Sequence, residues 1–408
     1  MAISLNDALA AVLAAVHVMD AEVLATEDAA GRIVARDVVS AIDLPPFANS
    51  AMDGFAVRAA DTAMSGRGSV RLPIHGESRA GQPSDEPLHP GCAARISTGA
   101  TLPEGADAVV RIEDVALADG AIQLTETVQR GTHIRRAGDD IVRGAVVVPA
   151  GTLVRAGELA MLAATGHTQV TVHRRPTVAV LTTGDEVVPA GTPLGPGQIH
   201  ESNSVMLAAQ AREAGATPTM VVGGVGDDLA VTIDAIDRAL DAADVVVISG
   251  GVSKGDHDHV KPALEALGVQ RIFWQIALRP GHPTLFGTVE RAGRTKLVFG
   301  LPGNPVSAYV TFQLLVAEAI ARMCGVGRSF LELPAVYSGP TQHKPIGMSL
   351  ALRCRIDTGP FGVLAMLTSA SQRSHIIGSL VAADGIAIVA PARDRVEDGD
   401  HVMVRLPT

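Results

Sequence analysis

Three short turns carry the residue types from which an anion site is built. They are Thr183-Gly184-Asp185-Glu186, the run Ser249-Gly250-Gly251-Val252-Ser253-Lys254-Gly255-Asp256, and Leu301-Pro302-Gly303-Asn304-Pro305-Val306-Ser307. Glycine lets a backbone approach a ligand closely, and a helix that starts nearby offers unpaired N–H groups to an anion. One such turn is equally well explained as a tight bend. Three on one sheet edge point to a site. Carboxylates gather in the same stretches: Asp185, Glu186, Asp227 or Asp228, Asp256 and Asp258. Two like charges about 4 Å apart repel by ~4 kcal/mol at an effective dielectric of about 20. An acidic site for an anionic substrate therefore calls for a cation, and Mg²⁺ bridging carboxylates and phosphate oxygens is the expected one.

Cationic partners lie further along, in Leu278-Arg279-Pro280-Gly281-His282-Pro283. Arg279 would present its planar fork to an oxyanion. Asp256-His257-Asp258-His259 invites a transition-metal reading, but residues two apart share a face only in an extended chain, and this stretch opens a helix. In VVGGVGDD (221–228) the glycines do not complete a dinucleotide fingerprint, and Asp227 or Asp228 reads as the cap of the following helix. A second cluster is Asn49-Ser50-Ala51-Met52-Asp53-Gly54-Phe55-Ala56-Val57-Arg58, whose Asp-Gly pair alone reads as a hairpin turn. Arg135-Arg136-Ala137-Gly138-Asp139-Asp140, taken alone, is a charged turn.

The elements that must position these residues follow from periodicity. Between 176 and 325, β-branched apolar runs (TVAVLTT, TPTMVVGG, ADVVVISGG, KLVFGLPG) alternate with helical patterns. That rhythm predicts a parallel sheet covered on both faces, with ligands at the carboxyl ends of its strands. Residues 46–140 read as a β-rich insertion. Residues 1–45 and 141–175 close on each other as a discontinuous domain around it, and 330–408 as a small β-barrel or sandwich. The length of 408 residues suits roughly two to four domains.

Composition narrows the function classes. Aromatics are 3% of residues and the formal net charge is −10 with no long basic run, which argues against nucleic-acid binding. A local cluster of donors can still hold a small anion on an acidic protein. Cys92, Cys324 and Cys354 are odd in number and far apart, so a reducing, cytoplasmic compartment is expected rather than a disulfide framework. The N-terminal stretch MAISLNDALAAVLAAVHVMDAE lacks a basic lead, carries Asp7 and is too short to span a bilayer. It predicts an amphipathic helix on a folded protein and no membrane association.

Six motifs in fixed order carry a resemblance: NSAMDGFAVR (49–58), HIRRAGDDI (133–141), LTTGDEVV (181–188), SGGVSKGDHDHVK (249–261), RPGHP (279–283) and GLPGNPVSA (300–308). PAGTLVRAGELAMLAATG (149–166) and QRSHIIGSL (372–380) extend it. The chain resembles the molybdopterin molybdenumtransferases, the family of the bacterial enzyme and the C-terminal domain of gephyrin. The resemblance implies an α/β and β multidomain subunit. Its parts would be a three-layer αβα molybdopterin-binding-like domain, a β-rich lasso, a discontinuous linking domain and a C-terminal β-barrel. It also implies an elongated homodimer, Mg²⁺, and insertion of molybdate into adenylylated molybdopterin with release of AMP. Transient contact with proteins of the same pathway is expected.

In that family the cleft lies between the α/β domain of one subunit and the lasso of the other, which gives Asp53 and Asp140 a role across the interface. By motif position the catalytic acids would be Asp53, Asp140, Glu186, Asp227 and Asp258, with Glu186 and Asp258 acting through Mg²⁺. Thr183, Gly184, Asp185, Ser249, Gly250, Gly251, Ser253 and Lys254 would meet the substrate. Arg279, His282, Pro302, Gly303, Asn304 and Ser307 would hold molybdate or the dithiolene end, with Ser374 contributed by the last domain. Positioning and charge neutralisation would dominate, as in other phosphoryl transfers.

Two departures matter. His282 stands where the family commonly has Lys, and Lys254 where it is often apolar. Lys254 is expected to supply part of the cation lost at 282. Imidazole changes charge near neutrality, so molybdate use should weaken between about pH 6 and 8 if His282 is a direct ligand. The basic residue that relatives use from the last domain is Arg353 or Arg355. The rival readings are a molybdopterin adenylyltransferase, which needs only residues 176–325, a non-catalytic scaffold, and a generic Mg²⁺-dependent nucleotide enzyme.

Overall fold

The computed structural model describes residues 2–64, 68–226, 228–252, 259–327, 330–359 and 362–407. The chain divides into two compact units, one made of Met1–Glu22, Gly31–Ala35 and Val172–Thr408, the other of Val23–Ala30 and Arg36–Thr171.

The first unit holds the α/β sheet. Its strands are β1 (Thr177–Thr183), β2 (Thr217–Val225), β3 (Val245–Ser249), β4 (Gln270–Trp274), β5 (Leu285–Arg291) and β6 (Arg294–Leu301), in the spatial order β2-β1-β3-β6-β5-β4. The first four are parallel. The all-parallel expectation stops at β6: Ala292 and Gly293, both at positive φ, reverse the chain, and β5 and β4 continue the sheet antiparallel. Two consecutive left-handed residues match the twist of a hairpin, so the reversal needs no crossover helix.

Side chains alternate across the strands and build two cores. Val178, Val180, Val245, Val247 and Phe299 face one side; Ala179, Leu181, Val246, Ile248 and Val298 face the other. Each fully buried Val or Leu contributes roughly 1.5–3 kcal/mol relative to exposure. The first layer is covered by α1 (Asn203–Glu213) and by α4 (Pro305–Met323), which carries a π-helical turn at Phe312–Val316. Among the described residues α4 alone is long and apolar enough to cross a membrane, but 83% of its apolar window is buried in the protein. The N-terminal helix Leu5–Ala14 adds Leu5, Ala8 and Val12 to the same core, its first turn capped by the Ser4 hydroxyl accepting from the Asp7 N–H at 3.1 Å. The second layer is covered by α2 (Leu229–Ala242) and α3 (Val260–Ala266).

The C-terminal part closes into a five-stranded barrel. Its strands are β7 (Phe330–Ser338), β8 (Ser349–Gly359), β9 (Gly362–Leu367), β10 (Gly385–Val389) and β11 (His401–Pro407). Pairing of β8 with β10 completes the circle, which decides for a barrel over a sandwich. Tyr337, Leu352, Cys354, Val389 and Val404 fill it. Leu278-Arg279 pairs with Ser349-Leu350 at the start of β8, so the barrel fixes the backbone that carries Arg279.

The second unit contains a six-stranded β sheet in which Gly54–Val57 lies second from one edge, between Ala108–Arg111 and Ala93–Ile96. Phe55, Val57, Leu72, Val110 and Ile122 form part of its core. Asp53-Gly54 makes no hairpin. A Cβ on Gly54 would sit 1.9 Å from the Val110 carbonyl oxygen, so glycine is required by close strand pairing. The two motifs of this unit meet directly: Asn49-Ser50 pairs with Ile134-Arg135.

Candidate functional site

The three glycine turns leave the sheet at one level. Ser249 pairs in register with Thr182 on one side and Leu301 on the other, so the carboxyl ends of β1, β3 and β6 are aligned. Local sterics explain the glycines. Gly250 has φ +96° and a Cβ there would lie 2.8 Å from Thr183 Oγ1; Gly184 has φ +132° and a Cβ would lie 2.5 Å from Glu186 Oε2. Asn203, at the start of α1, joins two of the turns: its side-chain amide donates to Ser249 Oγ at 2.9 Å and to the Gly303 carbonyl at 2.7 Å. Ser249 Oγ donates in turn to the Pro302 carbonyl at 3.0 Å.

These turns wall a cleft of about 560 Å³. Thr183, Gly184, Glu186, Ser249, Gly250 and Gly251 line it, as do Pro302, Gly303 and Asn304. Two carboxylates stand on its described walls. Glu201 is engaged as a helix cap, accepting from the Ser204 N–H at 2.7 Å. Glu186 lies against Gly184 with no hydrogen-bond partner for its carboxylate among the described residues. Asn203 and Glu201 were not anticipated. Their sequence signal is only the polar opening of a helix.

A second cleft, of about 1010 Å³, adjoins the first and shares Pro283, Pro302 and Asn304 with it. Arg279, His282, Ser307 and Ser374 meet there, joined by Gln372, Arg373, His343 and His375. Its described lining thus holds two guanidinium groups and three imidazoles, and no carboxylate. The Arg279 side chain is exposed, with no ion-pair or hydrogen-bond partner among the described residues. His282 Nδ1–H donates to the Ile276 carbonyl at 2.8 Å. A carbonyl can only accept, so Nδ1 carries the proton of this contact. Gly281, at φ +123°, makes the bend that presents this imidazole, with Thr311 packed where a Cβ would go.

Neither Arg353 nor Arg355 lines this cleft. Arg355 is exposed on β8. Arg353 is fully buried beneath the segment that carries Ser374. Its Nε donates to Ser379 Oγ at 3.1 Å and its backbone N–H to Gln372 Oε1 at 2.9 Å, while Nη2 has no partner. Burial without a counter-charge pushes its pKa down to about 10. Arg353 therefore acts as the post on which the cleft segment is wound.

Other expected residues lie apart from the two clefts. Asp185 is exposed and does not line either one; its carboxylate lies against Gly226. Asp228 caps α2, accepting from the Val231 N–H at 3.0 Å. Asp53 and Asp140 belong to the second unit. The Asp53 carboxylate accepts from the Thr98 N–H at 2.8 Å; Asp140 is exposed and donates its backbone N–H to Leu44. Asp227, Ser253, Lys254, Asp256 and Asp258 lie outside the described residues. Among the described residues no group of three or more His, Cys, Asp and Glu could hold a metal ion.

Comparison with known proteins gives this geometry its context. Residues 3–166 match the MoeA N-terminal region (domain I and II), and residues 179–322 match a probable molybdopterin binding domain. The molybdopterin molybdenumtransferase of Haemophilus influenzae is 37% identical over 388 residues, covering 94% of this chain and 93% of its own. That of Bacillus subtilis is 40% identical over 306 residues, 74% and 70% of the two chains. A molybdopterin biosynthesis MoeA protein of Pyrococcus horikoshii superposes with a TM-score of 0.84 at 34% identity, over 100% of this chain and 99% of that one. With two adjoining clefts on the fold of these relatives, the chain belongs to the molybdopterin molybdenumtransferase family.

Proposed function

We propose that the two clefts divide the substrates between them: the glycine-turn cleft takes the phosphate of adenylylated molybdopterin, and the cationic cleft takes molybdate. The observation that carries this is the electrostatic contrast across Pro302 and Asn304, with Glu186 and backbone turns on one side and Arg279, Arg373 and three imidazoles on the other. An oxyanion held beside an activated phosphate is arranged for transfer with release of AMP, in which positioning and charge neutralisation supply the acceleration.

The glycine-turn cleft suits Mg²⁺. That ion favours one or two carboxylates together with phosphate oxygens and water, and Glu186 offers a carboxylate unengaged by described protein groups. Glu186, with Asp258, would hold it, and the ion would offset the repulsion between carboxylate and phosphate. Asp53 and Asp140 would complete the site from a second copy in a homodimer. The exposed Phe47, Met52 and Val142, near these acids in sequence, support such an interface. We assign a four-part division, 1–45 with 141–175, 46–140, 176–325 and 330–408, whose first part draws residues from both compact units. Unpaired Cys92, Cys324 and Cys354 support a cytoplasmic setting, where the proteins that supply and receive the cofactor would be met.

The test supplies purified protein with adenylylated molybdopterin, Mg²⁺ and molybdate. AMP release that depends on molybdate is expected. Adenylylation of molybdopterin from ATP would instead make the protein an adenylyltransferase.

A further inference from the structure

Trp274 is the single tryptophan of the chain and ends β4, half-buried and outside the lining of both clefts. Its two distinctive groups are both used. The indole N–H donates to the Val252 carbonyl at 3.1 Å. The Lys261 ammonium stands 4.0 Å from the centroid of its ring. Val252 closes the Ser249-Gly250-Gly251 turn of the glycine cleft, and Lys261 lies in the first turn of α3. A third contact crosses at the same level, since a Cβ on Gly251 would come 2.5 Å from Val260 Cγ2. One side chain thus ties together the two stretches of backbone that flank residues 253–258.

A ring that only filled space could be Phe or Leu. What tryptophan adds is a donor at its edge and the strongest face for a cation. Val252 is 2% exposed, so its carbonyl has little access to water, and a lost indole donor would not be replaced without movement of the turn. We propose that Trp274 is a positioning residue for the glycine-turn cleft, holding the Gly250–Val252 backbone in the shape that receives the phosphate-bearing ligand. The proposal rests on the division of substrates given above. Its effect reaches the glycine cleft through Val252 and leaves the cationic cleft alone.

Trp274→Phe keeps the ring and removes the donor; Lys261→Met keeps the stem and removes the charge. With Trp274→Phe, KM for adenylylated molybdopterin rises ~5- to 10-fold while KM for molybdate stays within about twofold of wild type. Lys261→Met moves the same constant by a smaller factor. A natively folded Trp274→Phe with an unchanged KM for adenylylated molybdopterin, or with both KM values raised equally, overturns the proposal. Should Trp274→Phe not fold, Lys261→Met carries the same split.

A readout independent of turnover is the single ¹⁹F resonance of protein labelled with 5-fluorotryptophan. AMP with Mg²⁺ shifts it and molybdate alone does not. A resonance unmoved by AMP counts against the positioning role. A wild-type protein that shifts with AMP yet releases none with molybdate keeps Trp274 in its role and removes the transferase reading instead.

Discussion

The two clefts share a wall and are built in opposite ways. The glycine-turn cleft is made of backbone: aligned strand ends, glycines at positive φ, and an asparagine amide joining two of the turns. The cationic cleft is made of side chains carried on irregular segments, and the barrel and the buried Arg353 hold those segments in place. A backbone site keeps its donors at every pH and is broken by sterics. A side-chain site can be retuned by one substitution, and here five side chains, two guanidinium groups and three imidazoles, are open to it.

The largest test of this contrast is Arg279→Ala. It removes a planar fork that no described protein group engages, and molybdate-dependent AMP release should fall about 10²–10³-fold. Steady-state kinetics should assign the loss to molybdate, with Arg279→Lys restoring only part of it. An equal loss of affinity for adenylylated molybdopterin would merge the two clefts into one site.

The opposite end of the sheet provides a control. Asp244, just before β3, is buried and receives the Thr177 N–H at 2.9 Å and the Arg174 guanidinium at 3.1 Å, with Lys296 at 4.0 Å. Burial works against its charge, but the Thr177 and Arg174 contacts prevail and hold its pKa below the ordinary 3.8. Asp244→Ala should cost about 3 kcal/mol of stability in denaturant titrations, because the buried Lys296 and half-buried Arg174 lose their counter-charge. A carboxylate whose folded pKa is depressed contributes stability above its unfolded value and loses it as pH falls through the folded one. The gap between wild type and variant should therefore be constant above about pH 4 and narrow below it. Both KM values should stay as in wild type; a change in either would make this a functional cluster.

Gly250→Ala sets sterics against charge within the glycine cleft. The new Cβ would meet Thr183 Oγ1 and the Thr183 carbonyl within 3 Å, at a φ of +96°. A stability loss of about 2 kcal/mol and a roughly tenfold higher KM for adenylylated molybdopterin are expected, without a new pH dependence. The smallest effect belongs to His282→Lys. A lysine ammonium in place of the imidazole should lower KM for molybdate a fewfold. Identical KM values would remove His282 from the list of ligands.

Legibility in the sequence divided along the same line. The glycine turns could be read directly, because φ and close approach are properties of residue type. Arg279, His282 and Ser307 were readable as motif members; Arg373 and His375 lie in QRSHIIGSL, from which only Ser374 was singled out, and Asn203 and His343 stand in no pattern that local spacing marks. Asp53-Gly54 misled for the same reason: the demand on Gly54 comes from Val110, a partner far along the chain.

By itself the sequence determined the alternation of strands and helices, the glycine turns at strand ends and the acidic and basic residues available to a site, because each depends on periodicity or on one residue's conformational range. Tertiary structure alone decided that Ser249, Thr182 and Leu301 share one level, that the last strands close into a barrel, and that Arg353 is buried while Arg279 is exposed at a cleft. Those outcomes depend on register and on long-range packing, where residues distant in the chain set each other's surroundings.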